Sequence, residues 1–297
     1  MKVYKFTLVG LFILFAINYN ALGQNITDSD NQVSTSNKSY FSASINFISD
    51  AVYMGRKDSI SAPYLFPRFT YHHKTGLYAT GSLSYLTKSD EGRVDLFLTT
   101  LGYDFTVKKL SGDLSITKYF FNDESYNVIS EVEADITANA SYDFDILEAS
   151  LSLVTFLNKG SSSDFFLSTE VSHSFLSQSR NFQVSPTIGV FFGSQNFYEE
   201  YYISNRYGGA KNKGPGQGMG GNTIVVESVV LNESESFGLM AIEFSLPMWY
   251  VSKSFIFIGM PVFAIPQNPS TVTIDSTVYE EDLENTFYWM VGVNYRF

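Results

Sequence analysis

One feature constrains this chain more than any other. From about residue 39 onward, apolar and polar side chains exchange places at every second position, in segments about ten residues long. The last segment shows it most clearly. Phe287, Trp289, Val291, Val293, Tyr295 and Phe297 share one face, while Tyr288, Met290, Gly292, Asn294 and Arg296 share the other. A period of two marks an extended strand. An apolar face that begins and ends in aromatic rings, backed by a mixed face, suits a strand between hydrocarbon and a wet interior. Hydrocarbon leaves no water for backbone N–H and C=O groups, so a sheet in that setting must close on itself. A soluble sandwich or jelly roll also alternates, but it does not need rings at both ends of so many strands.

The expected strands lie at about 39–48, 64–73, 77–87, 93–105, 112–121, 127–140, 146–157, 164–176, 182–192, 237–248, 254–265 and 287–297. Every second connection is short, at about 74–76, 106–111, 141–145, 177–181 and 249–253. The other class is 49–63, 88–92, 122–126, 158–163, 193–236 and 266–285, and it holds all three long ones, 49–63, 193–236 and 266–285. That asymmetry is expected of a transmembrane barrel, with short periplasmic turns and longer outer loops. The fold class that follows is all-β: a single closed antiparallel transmembrane β-barrel of about twelve strands over 39–297, with 193–236 as a long extracellular loop. The strand-like run Thr223 to Leu231 is expected to form a hairpin arm above the barrel or folded into it.

The amino terminus agrees with such an address. Lys2 and Lys5 precede an apolar run from Phe6 to Ile17, and Ala21-Leu22-Gly23 supplies small residues for cleavage before Gln24. Residues 1–23 therefore read as a secretory signal peptide, because a spanning helix needs about 20 apolar residues. Residues 24–38 are polar and read as a disordered periplasmic leader. The chain has no Cys, which removes disulfides and thiolate metal sites. Its formal charge of −11 argues against nucleic acid as a partner. An aromatic content of 16% without any long apolar run suits strands that are apolar only at alternate residues.

Sorted by face, the expected interior carries Asp95, Glu131, Glu133, Asp135, Glu148, Glu170 and Glu243, against Arg68, His72 and Arg296. Acids facing guanidinium groups across a bore set up a transverse field, and rings of Asp or Glu favour cations. These ten residues are the lumen and constriction candidates; the same residues can also simply be paired side chains that fill the bore. Lys118 falls on the lipid side of its strand, where a lysine costs about 2–4 kcal/mol at the midplane unless it snorkels or a bulge shifts the register. The run Gly214 to Gly221 contains a formal G-x-G-x-x-G but lacks the strand–helix context of a nucleotide site. With Arg206, Lys211 and Lys213 nearby, it reads as a mobile loop that gates the mouth or touches anionic lipopolysaccharide. No Ser, His and acid come together by spacing, so no catalytic residues, cofactor-binding residues or metal ligands are assigned, and no cofactor is expected.

Two resemblances add to this. The closing strand resembles the terminal assembly strand of bacterial outer-membrane barrels, which commonly ends in Phe, here Phe297. That implies a partner in the barrel-assembly machinery. Ser49-Asp50-Ala51-Val52-Tyr53-Met54-Gly55-Arg56, with Pro63 and then Gly76-Leu77-Tyr78-Ala79, resembles the opening of the TorF-type porins. In those proteins a run like S-D-Y-x-x-R-G follows the first strand; here Gly55 and Arg56 are in reversed order and Ala51 replaces the aromatic residue. The resemblance implies an outer-membrane pore-like barrel and transfers no functional residue.

The expectation is thus a non-enzymatic, porin-like channel of the bacterial outer membrane for small solutes, cation-preferring, in contact with membrane lipid and lipopolysaccharide. The alternatives are a non-conducting surface or adhesion barrel and a lipid-modifying barrel enzyme.

Overall fold

The structure, a computed structural model, describes residues 38–57, 61–159, 162–201, 229–232, 236–269, 271–274, 277–281 and 283–297. The expected signal peptide, nearly all of the expected leader and the glycine-rich 214–221 stretch lie outside the described residues.

Twelve antiparallel staves close into one barrel. Seven are single strands: β1 (Tyr40–Ile48), β2 (Tyr64–His72), β3 (Leu77–Leu86), β4 (Arg93–Val107), β5 (Leu110–Phe121), β6 (Val132–Asp143) and β7 (Glu148–Asn158). The next three staves are each broken once. They are β8 (Asp164–Ser172) with β9 (Phe175–Leu176), β10 (Phe182–Val184) with β11 (Thr187–Gly193), and β13 (Gly238–Ser245) with β14 (Met248–Ser252). The last two are β15 (Phe255–Pro266) and β18 (Thr286–Arg296). Closure runs through β1 and β18, with Ser42 opposite Arg296 and Ile48 opposite Met290. Every stave is therefore paired on both sides, which is what a sheet in hydrocarbon requires.

The three breaks have one local cause. Pro186 and Pro247 stand in adjacent staves and have no N–H to give the ladder. Their carbonyls still accept: His173 N–H bonds Pro186 O at 3.2 Å, and Ser185 N–H bonds Pro247 O at 2.9 Å. The wall bends there without opening.

Two expected boundaries are corrected. The sixth stave begins at Val132, not at 127, because 122–131 folds inward instead of running up the wall. The tenth continues past Pro247 to Ser252, so the short turn is Lys253-Ser254 and not 249–253.

The short turns use left-handed backbone where the chain reverses. Gly76 has φ +96°, and a Cβ there would fall on the carbonyl oxygen of Asp104 and crowd the Tyr103 ring. Gly76→Ala is expected to cost about 1–3 kcal/mol. Heat-modifiable gel mobility checks this; unchanged unfolding temperature would mean that the turn relaxes freely.

The outer face follows the sequence pattern. Ile45, Leu101, Ile116, Ile136, Leu151 and Val291 are exposed at mid-stave. Rings cluster at the short-turn rim, as in Phe41–Tyr71 (centroids 4.8 Å), Tyr142–Phe144 (4.7 Å) and Phe255–Tyr295 (4.8 Å). Others cluster at the long-loop rim, as in Phe47–Trp289 (5.4 Å) and Phe97–Phe120 (5.8 Å). An aliphatic belt between two aromatic girdles is the surface a bilayer solvates.

Above the long-loop rim, β12 (Val229–Asn232) pairs with β16 (Thr271–Ile274), which pairs with β17 (Thr277–Glu280). The carboxyl-terminal end of the run read as a hairpin arm is thus joined to the following long loop; 223–228 lies outside the described residues.

Candidate functional site

The bore is the candidate site, and its two walls differ. Staves β1 to β8 turn Ser44, Asn46, Thr70, Thr80, Thr100, Thr117, Thr137, Ser152 and Ser168 inward. Staves β14, β15 and β18 turn Trp249, Ile256, Ile258, Met260, Val262 and Met290 inward. A hydroxyl-rich wall therefore faces an apolar one.

Two outer connections enter the bore from the long-loop end. The first is 49–63. Asp50 holds both of its legs, accepting from Ala51 N–H at 3.0 Å and Ala62 N–H at 2.8 Å, while Lys57 Nζ lies 3.2 Å from its other oxygen. The tip is a tight turn with Met54 (φ 49°) and Gly55 (φ 76°) at its centre. Tyr53 and Arg56 exchange both backbone bonds, at 2.7 and 2.9 Å. Positive φ at both central positions suits a two-residue hairpin turn. From this tip Tyr53 and Arg56 reach different staves. Tyr53 packs against Phe156, Phe166 and Phe197, at centroid distances of 5.4, 5.4 and 5.1 Å. Phe197 comes from a short helix, α1 (Asn196–Tyr201), whose start is bonded by Asp164. Burial pushes the Tyr53 phenol well above its ordinary pKa, so the ring is neutral there.

Arg56 is wholly buried. Its guanidinium donates to the carbonyls of Met240 (3.4 Å), Gln267 (3.1 Å) and Asn268 (2.9 Å), and pairs with Glu281 at 3.3 Å. Met240 shares the sequence parity of the exposed Phe244, but a register shift at Phe191/Phe192 buries its side chain, and its carbonyl accepts from Arg56. Gly55 lies so close to Pro266 that a Cβ would sit 2.8 Å from the proline ring.

The second entering connection is 122–131, where Tyr126, Val128, Ile129 and Glu131 are buried. By sequence parity Val128 and Val132 belong with the exposed Ile136 on the lipid side, yet both lie in the interior. Asp95 anchors this segment. It accepts from Ser125 Oγ at 2.6 Å and from the Tyr64 hydroxyl, and it pairs with Arg93 Nε at 3.2 Å.

The expected lumen residues separate into groups. Asp95 joins a wall to a loop. Glu131 lies in the inward loop and pairs with Lys159 at 3.3 Å. Asp135 is buried on β6 and accepts from Tyr119 at 2.7 Å and Thr137 at 2.7 Å. Arg68, His72 and Arg296 are on inward positions near the β1–β2–β18 seam. His72 bonds Asp104 at 2.9 Å, and the Arg296 guanidinium lies 3.8 Å from the centre of the Tyr40 ring. Glu148, Glu170 and Glu243 lie inward on β7, β8 and β13.

Glu133 is a correction. It turns outward, with its side chain 52% exposed, and pairs with Lys118 at 3.3 Å. The cause is the register shift between Val132 and Ala134, which slips the alternation by one residue. The same shift resolves the Lys118 expectation: its amine stays on the lipid side near the outer rim and meets a carboxylate there.

Sequence reasoning missed Arg56, Asp104 and Asp113. Asp104 and Asp113 sit opposite each other on β4 and β5, and Asp113 accepts from Tyr78 at 2.8 Å. Their inward parity was legible, since Asp104 is two residues from Gly102 and four from Thr100 on one face. Arg56 stood in the run that resembles the TorF-type opening, but the sequence assigned it no role.

These features define a closed antiparallel barrel of the membrane-spanning kind, with a polar bore entered by two of its own loops. No family model and no curated protein matches the chain, so nothing stands behind the resemblance of its opening to the TorF-type porins. Among solved structures it is similar to the KdgM porin (9% identity, TM-score 0.46, covering 86% of this chain and 98% of that one). It is also similar to the NanC porin (10%, 0.45, 86% and 98%) and to LpxR from Salmonella typhimurium (8%, 0.44, 86% and 99%). Likeness of that degree decides neither cargo nor chemistry.

Proposed function

We propose that the protein is a channel of porin type in the bacterial outer membrane, passing small solutes with a modest preference for cations, and that the 49–63 loop holds it shut in the conformation described. The observation that carries this reading is the division of faces: an aliphatic belt between aromatic girdles outside, hydroxyls and carboxylates inside, and no open edge among the described staves. A surface of that kind calls for lipid and, at the long-loop rim, lipopolysaccharide. The exposed ring of Phe297, whose N–H bonds Phe41 O at 3.0 Å, leaves the end of the closing strand available to barrel-assembly machinery. The inward acids Glu148, Glu170 and Glu243 supply the cation preference. No catalytic role is assigned in this reading. His173 is exposed and bonds the carbonyl of Ile146, while Ser174 bonds Ser185 at 2.8 Å.

The test is conductance across a planar bilayer. Stepwise openings are expected, with a reversal potential in a salt gradient that shows cations crossing faster. The bias is expected to fall in Glu170→Gln plus Glu243→Gln. A bias unchanged by that double substitution would remove the acids from the reading. The packed outer half of the bore favours one rival, a non-conducting barrel that presents its loops. Silence of the protein both with and without the 49–63 anchor would select that rival.

A further inference from the structure

Most buried acids of the bore have donors around them, as described for Asp95, Glu131 and Asp135. Glu170 and Glu243 differ. Glu170 lies on β8, Glu243 on β13, and Gly189 of β11 is paired with both. A Cβ on Gly189 would lie 2.7 Å from the Phe191 ring and 3.2 Å from Glu170 Cγ, so the bare glycine lets that ring and Glu170 close over the backbone between the two acids. They are 7% and 4% exposed. Tyr288, on the second stave beyond β13, is buried and within electrostatic reach of both acids. The residue opposite Glu243 on the intervening stave is only Ala264. Glu170 Oε2 and Glu243 Oε1 nevertheless have no hydrogen-bond partner among the described residues.

Two buried carboxyl groups with unfilled acceptor positions are costly unless a cation or donor meets them. The described residues contain no cluster of three His, Cys, Asp or Glu able to hold a metal ion. A hard divalent cation wants more oxygens than these two acids offer. An ammonium group wants less: three N–H donors and, where available, an aromatic ring. Here it finds two carboxylates, a phenol oxygen and Phe191. The apolar wall of Met260 and Val262 beside Tyr288 suits a short hydrocarbon chain attached to that nitrogen.

We propose that Glu170, Glu243 and Tyr288 form a mid-bore binding site for an organic primary ammonium. The site lies on the inner wall across β8, β11, β13 and β18, with Tyr53 within electrostatic reach of Glu243. The proposal names a solute class for the passage and rests on that reading only for the supposition that solutes enter the bore.

The test is calorimetric titration of the purified full chain in non-ionic detergent with n-propylammonium chloride. Tetramethylammonium, which has no N–H donor, and potassium chloride are the controls. Saturable heat is expected with propylammonium alone. Glu170→Gln plus Glu243→Gln is expected to weaken binding at least about tenfold, as befits lost hydrogen bonds to charge. Tyr288→Phe, which keeps the ring, is expected to weaken it by a smaller factor. Heat-modifiable mobility shows that each variant is folded. Absence of saturable heat, an equal response to tetramethylammonium, or unchanged affinity in the double variant overturns the site. Because the titration needs no current, saturable binding in a barrel silent in bilayers would sink the passage and keep the site. Stepwise conductance without binding would do the reverse.

Discussion

Arg56→Ala is expected to open the bore and to weaken the fold together. The guanidinium is the contact that holds the 49–63 tip to β13 and to the chain just beyond β15, through three carbonyls and Glu281. Removing one partner of a buried ion pair typically costs about 3–5 kcal/mol, because the remaining charge and carbonyls lose what replaced their water. If about 3 kcal/mol of that falls on the docked loop alone, the ratio of undocked to docked loop rises more than about a hundredfold. The expected result is longer and more frequent openings in a planar bilayer, with a lower unfolding temperature. Arg56→Lys separates the two contributions. It keeps the charge near Glu281 but loses the planar fork that serves several carbonyls at once, so it should lie between wild type and Ala in both measurements. Lower stability with unchanged conductance would show that the loop braces the wall without gating the bore.

That prediction rests on a residue to which the sequence assigned no role, and the reason is physical. A strand between lipid and water writes its position into every second side chain, so a face assignment such as Phe41/Ala43/Ile45 against Ser42/Ser44/Asn46 was legible at once. A loop that turns into a barrel uses the same glycines, acids and rings as one that stays outside. Asp50, Tyr53 and Arg56 gain their roles only when 49–63 meets Met240 and Phe166, residues more than a hundred positions away in the chain. The 122–131 segment misled for a related reason. Val128 and Val132 continue the alternation of β6 in sequence, yet both pack inside, and the register shift beyond Val132 reverses Glu133. A period-two pattern carries no mark of where one residue is skipped. The Lys118 anomaly did carry such a mark. A lone lysine on a greasy face needs a partner or a bulge, and the structure supplies both at Glu133.

The second large effect concerns the division of faces itself. Val291 is exposed at the middle of β18, on the face that carries Trp289 and Val293. Arginine there is expected to cost about 2–4 kcal/mol, the usual penalty for a cation at the bilayer midplane of a barrel wall. Ile136, exposed on β6 across the barrel, should behave alike, because depth and not neighbourhood sets the cost. Both penalties should fall towards the rims, where a long side chain can snorkel. Ser150→Arg is the matched inward change. Ser150 is paired with Glu170 and stands two residues from Glu148, so an arginine there meets carboxylates instead of acyl chains. Folding into lipid vesicles, followed by heat-modifiable mobility, should show Val291→Arg and Ile136→Arg strongly impaired and Ser150→Arg near wild type. The opposite ranking would place water outside the barrel and an apolar core within it, and no membrane reading of the chain would survive that result.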